Sequence, residues 1–181
     1  MKLSLVIPAY NEEAGLAECL GFVERGIVGH EDEVEVIVVN NASTDRTKAI
    51  AQSFSFVRVV DEERKGLVRA RQAGFVASTG ELVGNIDADS QLPLGWVTKV
   101  LTEFEKDPKL VALSGPYIYY DLSPVISSLS KIFYAIGLAV VWFNQLFFKK
   151  GAMLQGGNFI LKRTALEAQN RWIHAVYLKM H

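Results

Sequence analysis

The chain has 181 residues, half of them apolar, which suits one domain with a sizeable core. Its 19 lysines and arginines nearly cancel its 20 aspartates and glutamates, for a formal net charge of -1. That balance excludes recruitment of nucleic acid by a global field, and the lone Cys19 excludes an internal disulfide and fits a reducing compartment. Leu3 to Ala9 is too short an apolar run for a signal peptide, and Asn11-Glu12-Glu13 follows at once, so the expected localisation is cytoplasmic.

Short β-rich runs alternate with amphipathic stretches, the pattern of a mostly parallel α/β sheet flanked by helices. Leu3 to Ile7 predicts a buried central strand that Pro8 stops. A helix is expected from Glu12 to Arg25, capped by Asn11, with Cys19 as a buried inert thiol within it. Val34 to Val39 predicts the second strand, and Ser43, Thr44 and Asp45 crowd the start of the second helix. Phe56 to Val60 predicts a third strand, and Gly66 to Ser78 a third helix closed by Gly80. Leu82 to Ile86 predicts a fourth strand running directly into Asp87-Ala88-Asp89. Pro93 is placed to open a helix to Lys106, Leu110 to Ser114 reads as a strand, and Phe159 to Leu161 as a short one. The expected division is 1–116 as a ligand-binding α/β half and 117–181 as a second region. Its tail from Asn170 to His181 has no clear period.

Ligands of open α/β sheets collect beyond the carboxyl ends of the strands. Three polar clusters fall at such ends: Tyr10-Asn11-Glu12, Asn40-Asn41 and Asp87-Ala88-Asp89. In an extended strand end Asp87 and Asp89 would project to the same side and repel unless a cation or proton joins them. Oxygen ligands of this kind suit Mg2+ or Mn2+ completed by a substrate phosphate. The plainer alternative is a turn or helix cap leading to Pro93. Arg69 and Arg71 lie early in the third helix, where a guanidinium pairs well with phosphate; a solvated helix face would also account for Arg69.

Five motifs in order now stand together: Pro8-Ala9-Tyr10-Asn11-Glu12-Glu13, Val39-Asn40-Asn41-Ala42-Ser43-Thr44-Asp45, Arg71-Gln72-Ala73-Gly74, Thr79-Gly80-Glu81 and Asp87-Ala88-Asp89. Over about Lys2 to Pro116 the chain resembles family 2 glycosyltransferases of the GT-A fold. The resemblance implies inverting transfer of a sugar from a nucleotide-sugar donor to an acceptor hydroxyl. It implies that Pro8, Ala9, Tyr10 and Glu12 hold the nucleoside and that Asn41, where the family usually has Asp, contacts the base. Arg71 would approach the donor's phosphates or base, Asp87 with Ala88 the ribose or metal, and Asp89 would ligate Mg2+ or Mn2+ on the diphosphate. Gly157 and Asn158 resemble the family's acceptor-side segment.

The family's catalytic base is an acid following a Gly-Gly-Phe segment, and this chain has neither after Glu167. Codons AAT-CGG-TGG-ATT-CA for Asn170 to His174 would read as Ile-Gly-Gly-Phe in the next frame. The expectation is therefore a frameshifted or truncated C-terminus, testable by sequencing the gene. The competing function is a nucleotide-sugar-binding module that transfers nothing. A nucleotidyltransferase ranks last, because Pro8 to Glu13 is acidic and lacks a Gly-rich basic phosphate loop.

Ile132 to Phe148 carries no charge, is rich in aromatics, and is flanked by Lys131 and Lys149-Lys150. Three readings stay open: a helix in a membrane interface, a helix packed on protein, or a span, which Asn144 and Gln145 disfavour. An interfacial helix would suit a lipid-linked or cell-envelope glycan acceptor at the inner face of the cell membrane.

Overall fold

The computed structural model describes residues 2–115, 124–148 and 157–168. In chain order the elements are β1 (Leu3–Ala9), α1 (Leu16–Gly26), β2 (Val34–Asn40), α2 (Thr47–Gln52), β3 (Val57–Asp61), α3 (Leu67–Ala77), β4 (Leu82–Ile86), α4 (Trp96–Lys106), β5 (Ala112–Ser114), α5 (Pro124–Phe148), β6 (Asn158–Lys162) and α6 (Arg163–Ala168). Among the described residues six strands form one sheet in the order β3-β2-β1-β4-β6-β5, and β1 pairs parallel with both β2 and β4, as β2 does with β3. Two compact units divide the chain: Met1–Leu113 with the segment from Ile160 onward, and Ser114–Phe159.

Alternation along the strands sorts the first unit's core into two layers. Leu5, Ile7, Val36, Val38 and Leu82 face α1 and α4, where Leu16, Leu20, Val97 and Phe104 meet them. Val6, Ile37, Val39 and Val83 face Ala70 of α3 and Leu166 of α6. Gly74 lets α3 lie close on the sheet: a Cβ there would stand 2.2 Å from Val6 Cγ1 and 3.1 Å from Val39 Cγ2.

Several boundaries differ from the sequence expectation. β1 continues through Pro8 to Ala9. Its ladder with β4 ends at Val6, and Ala9 accepts from Asn41 N–H on the β2 side, so the missing proline donor falls where no ladder bond exists. α1 begins at Leu16 after Gly15, not at Glu12, and Asn11 does not cap it. Asn11 instead adopts φ 54°, and its side-chain oxygen accepts from Thr44 N–H at 2.8 Å. Pro93 lies in a turn closed by Trp96 N–H on its carbonyl, and α4 starts only after Gly95, at φ 76°. Gly80 does not close α3, which ends at Ala77 with Ser78 as its cap.

Gly80 belongs to a polar knot at the opposite end of the sheet from the site. Glu35 accepts from the Ser4 hydroxyl (2.5 Å), the Thr79 hydroxyl (2.8 Å) and N–H, Gly80 N–H (3.2 Å) and Arg58 (3.1 Å). Burial alone would raise its carboxyl; these donors outweigh burial and bring it down from 4.5 to about 2. Arg163 grips the same turn from the other side, donating to Gly80 O and Ser78 Oγ, both at 2.8 Å. A Cβ on Gly80 would sit 2.6 Å from Ser4 Oγ and 2.8 Å from Ser4 N, so only glycine fits.

In the second unit, α5 begins at Pro124, earlier than the apolar run predicts, and carries exposed Phe133 (80%), Trp142 (65%) and Phe147 (62%). Among the described residues no helix is long and apolar enough to cross a membrane. The uncharged stretch from 132 to 148 would rise only about 26 Å against a hydrocarbon core of about 30 Å.

Candidate donor-binding site

The carboxyl ends of β1, β2 and β4 and the start of α3 enclose a cavity of about 560 Å³. Pro8, Ala9, Tyr10, Glu12, Asn41, Asp87, Ala88 and Asp89 all line it, so the three polar clusters separated in sequence share one rim. Arg71 of α3, expected at the site, does not line the cavity itself: its largely buried guanidinium meets the wall through Asp87, 3.4 Å from Oδ1. Lys65, Gly66, Leu67 and Ala70 complete the wall. Sequence reasoning did not place these four at the site; the signal available was the position of Lys65-Gly66 at a strand-to-helix turn of a doubly wound sheet.

The loops following β1 and β2 are laced to each other. Asn11 N–H donates to Ser43 Oγ (3.2 Å), Glu12 N–H to Thr47 Oγ1 (2.8 Å) and Glu13 N–H to Asp45 Oδ2 (3.1 Å). Arg46 N–H returns a bond to Glu13 Oε2 (3.1 Å). Asp45 Oδ1 also accepts from Thr47 N–H at 3.0 Å and Thr47 Oγ1 at 2.5 Å. The oxygens of Ser43, Thr44 and Asp45 therefore do more than crowd a helix start: α2 begins at Thr47, and these side chains hold the loop that carries Tyr10 and Glu12.

Asn41 is 4% exposed and its amide is fully engaged. Its Nδ2 donates to Glu62 O (3.0 Å) and Arg64 O (2.8 Å), while its Oδ1 accepts from Gly66 N–H (2.7 Å). An aspartate could not make the two donations. Arg64 turns back to Glu62 through two bonds of 2.9 Å, and with help from Arg69 brings that carboxyl down to about 2. Arg69 is exposed, in keeping with a solvated helix face.

The aspartate pair is arranged differently from an extended strand. β4 ends at Ile86, and Ser90 N–H donates to Asp87 O at 3.0 Å, closing a turn over Asp87–Ser90. That turn, not the strand pleat, aligns Asp87 and Asp89 on the cavity wall. Behind it the Cys19 thiol lies 3.8 Å from Asp87 O and is pushed up to about 12, chiefly by burial, confirming the inert cysteine expected. Burial first, then the charges of Asp89, Asp45 and Asp87, raise the Glu12 carboxyl above its ordinary value. The rim thus gathers several carboxylates whose fields act on one another.

This donor set fits a divalent cation. It offers carboxylate oxygens only, which suits a hard ion, and the acid-on-acid field at Glu12 is what a cation would relieve. Among the described residues no three His, Cys, Asp or Glu side chains form a closed cage. The pair would supply only part of a shell, leaving the rest to a ligand and water.

Gly157 and Asn158 fall in the second unit, where Ser114 Oγ donates to Asn158 O at 2.7 Å. The tail from Asn170 to His181, with the expected position of the base, lies outside the described residues.

Residues 4–168 match the profile described as Glycosyl transferase family 2. A probable glycosyltransferase, YdaM of Bacillus subtilis, is 28% identical over 94% of this chain and 43% of its own length. The mannosyltransferase PcManGT from Pyrobaculum calidifontis, solved with GDP-Man and Mn2+, superposes with a TM-score of 0.72 at 22% identity, covering 93% of this chain and 46% of that one. Glucosyl-3-phosphoglycerate synthase from Mycobacterium tuberculosis, solved with Mn2+, UDP-Glc and phosphoglyceric acid, gives 0.60 at 24% identity, covering 91% and 57%. The chain thus spans about half the length of these proteins. The fold is the nucleotide-sugar transferase α/β fold that the motifs implied, and the chain belongs to glycosyl transferase family 2.

Proposed function

We propose that the chain binds a nucleotide-sugar donor in the 560 Å³ cavity and transfers the sugar, with inversion, to an acceptor hydroxyl. The observation that carries this is the convergence of Tyr10, Asn41, Asp87 and Asp89 from three strand ends on one wall. Pro8, Ala9, Tyr10 and Glu12 would hold the nucleoside, with Asn41 shaping the loop beside it. Asp87 and Ala88 would meet the ribose end, and Asp89 with Asp87 would hold Mg2+ or Mn2+. Such a cation neutralises charge developing on the departing diphosphate. Arg71, fixed against Asp87, would add a second positive group to the leaving side. Residues 1–116 would form the donor half, and 117–181, with Gly157 and Asn158, the acceptor half.

Melting curves with GDP-, UDP- and dTDP-sugars, with and without Mn2+, test donor binding. One donor should stabilise the protein by about 2.7 kcal/mol at a hundred times its Kd, and only with metal present. Failure of every donor in both conditions sinks the proposal. A donor-binding module without transfer is the second reading; release of nucleoside diphosphate on adding acceptor separates the two.

The exposed Phe133, Trp142, Phe143 and Phe147 of α5, with lysines bracketing the stretch in sequence, favour contact with a membrane interface and a lipid-linked or cell-envelope glycan acceptor. Co-sedimentation with vesicles containing anionic lipid is expected and should be lost in a Phe133→Ser/Trp142→Ser variant. Equal recovery in the supernatant with and without vesicles would discard the membrane contact.

A further inference from the structure

One cation on the cavity wall has no role in the family motifs. Lys65 Nζ donates to the Tyr10 hydroxyl at 2.7 Å and lies 4.5 Å from the centre of the same ring, at its hydroxyl edge, which leaves the ring face open. Both residues line the cavity, and Tyr10 remains 45% exposed. An ammonium has three donors, so the bond to Tyr10 leaves capacity for a further acceptor.

Backbone geometry holds this lysine in place. The carbonyl of the preceding Arg64 and the N–H of the following Gly66 are both bonded to the one Asn41 side chain, at 2.8 and 2.7 Å. Gly66 takes φ 135°, open only to glycine, which turns the chain into α3. Lys65 is therefore the tip of a loop fastened on both sides. Both amide donors and the oxygen of Asn41 serve this loop, so they are engaged before any ligand arrives. Reading of the base passes from that side chain to the residue it presents.

We propose that Lys65 determines base specificity: its ammonium donates to a keto oxygen on a nucleobase at Tyr10 and disfavours an amino group in that position. This rests on the nucleotide-sugar reading above. The aromatic ring offers a stacking face, and the ammonium offers donors only. A keto oxygen completes a charge-assisted hydrogen bond, whereas an exocyclic amino group sets donor against donor. Lys65 is a specificity residue in this scheme, and Asn41 is the positioning residue behind it.

The test uses two nucleotide pairs that differ mainly in keto against amino substitution, UDP with CDP and IDP with ADP. Kd is measured calorimetrically with Mn2+ for wild type, Lys65→Met and Lys65→Arg. Wild type should favour the keto member by roughly tenfold in the pair it binds more tightly. Lys65→Met should bring that ratio near one, and Lys65→Arg should retain the preference. A preserved ratio in Lys65→Met overturns the proposal, as does the absence of a keto preference in wild type. Equal weakening of all four nucleotides with the ratio intact would place Lys65 on the phosphates and also overturn it. If wild type binds none of the four but is stabilised by one of the donor sugars above, this proposal alone falls; if it binds neither the four nor any donor sugar, the donor-binding reading falls with it.

Discussion

Asp89→Asn is expected to abolish Mn2+-dependent binding of the donor, weakening it by at least about a hundredfold, while the protein folds normally. Asp89 is exposed on the turn that follows β4, and its charge is among those that raise the Glu12 carboxyl. Removing it relieves like-charge repulsion in the apo protein, so the melting temperature without ligand should hold or rise slightly. The loss appears only when a cation must be held against a diphosphate. Asp87→Asn should differ in kind, because Asp87 also faces Arg71 at 3.4 Å, and its neutralisation leaves a largely buried guanidinium less well balanced. Calorimetric titration of UDP and GDP with and without Mn2+ separates the two variants. Metal-dependent affinity at the wild-type level in Asp89→Asn would remove Asp89 from the metal site.

The second large effect lies far from the ligand. Glu35→Ala should lower stability by about 2–4 kcal/mol, since it strips acceptors from Ser4, Thr79, Gly80 and Arg58 together. Ser4 is fully buried, so its hydroxyl cannot turn to water instead. The pH dependence has a definite sign. The folded carboxyl sits at about 2, below its ordinary 4.5. Its contribution is complete above about 4.5 and is lost as pH falls toward 2. Urea midpoints for wild type should fall through that window, whereas Glu35→Ala, already weaker at pH 7, should fall less. Parallel pH profiles for the two proteins would rule out this role for Glu35.

The sheet was legible in the sequence because its strands are apolar runs with clear stops, and β4 matches its predicted Leu82 to Ile86 boundary. The gathering of Tyr10, Asn41 and Asp87 was legible because parallel strands bring their carboxyl ends to one edge. What escaped is chemistry made by cross-loop hydrogen bonds. Asn11 has the composition of a helix cap, yet its partner is Thr44, 33 positions away, and no local pattern reveals that pairing. Gly80 likewise looks like a helix terminator, while its true constraint is the approach of Ser4 from 76 positions upstream. Asn41 was read for what it might touch in a ligand, whereas its partners are carbonyls of the following loop. Lys65 was passed over because a lysine at a turn carries no signal until the Tyr10 hydroxyl is seen beside it.

The strand order has a consequence for how the protein is made. β4 and β5 follow each other closely in the chain, yet they are not neighbours in the sheet, because β6 lies between them. As the polypeptide emerges from the ribosome, β4 would present an unpaired backbone edge until residues 158–162 are synthesised. All five residues of β4 are buried in the finished fold, so the waiting edge leaves Leu82, Val83 and Ile86 uncovered along with the amide of Asn85. β6 thus works as a closing wedge, and Arg163, immediately after it, fastens to Gly80 O once the wedge is seated. Nascent chains stalled before this point would be natural clients for chaperones, and the arrival of β6 would mark their release.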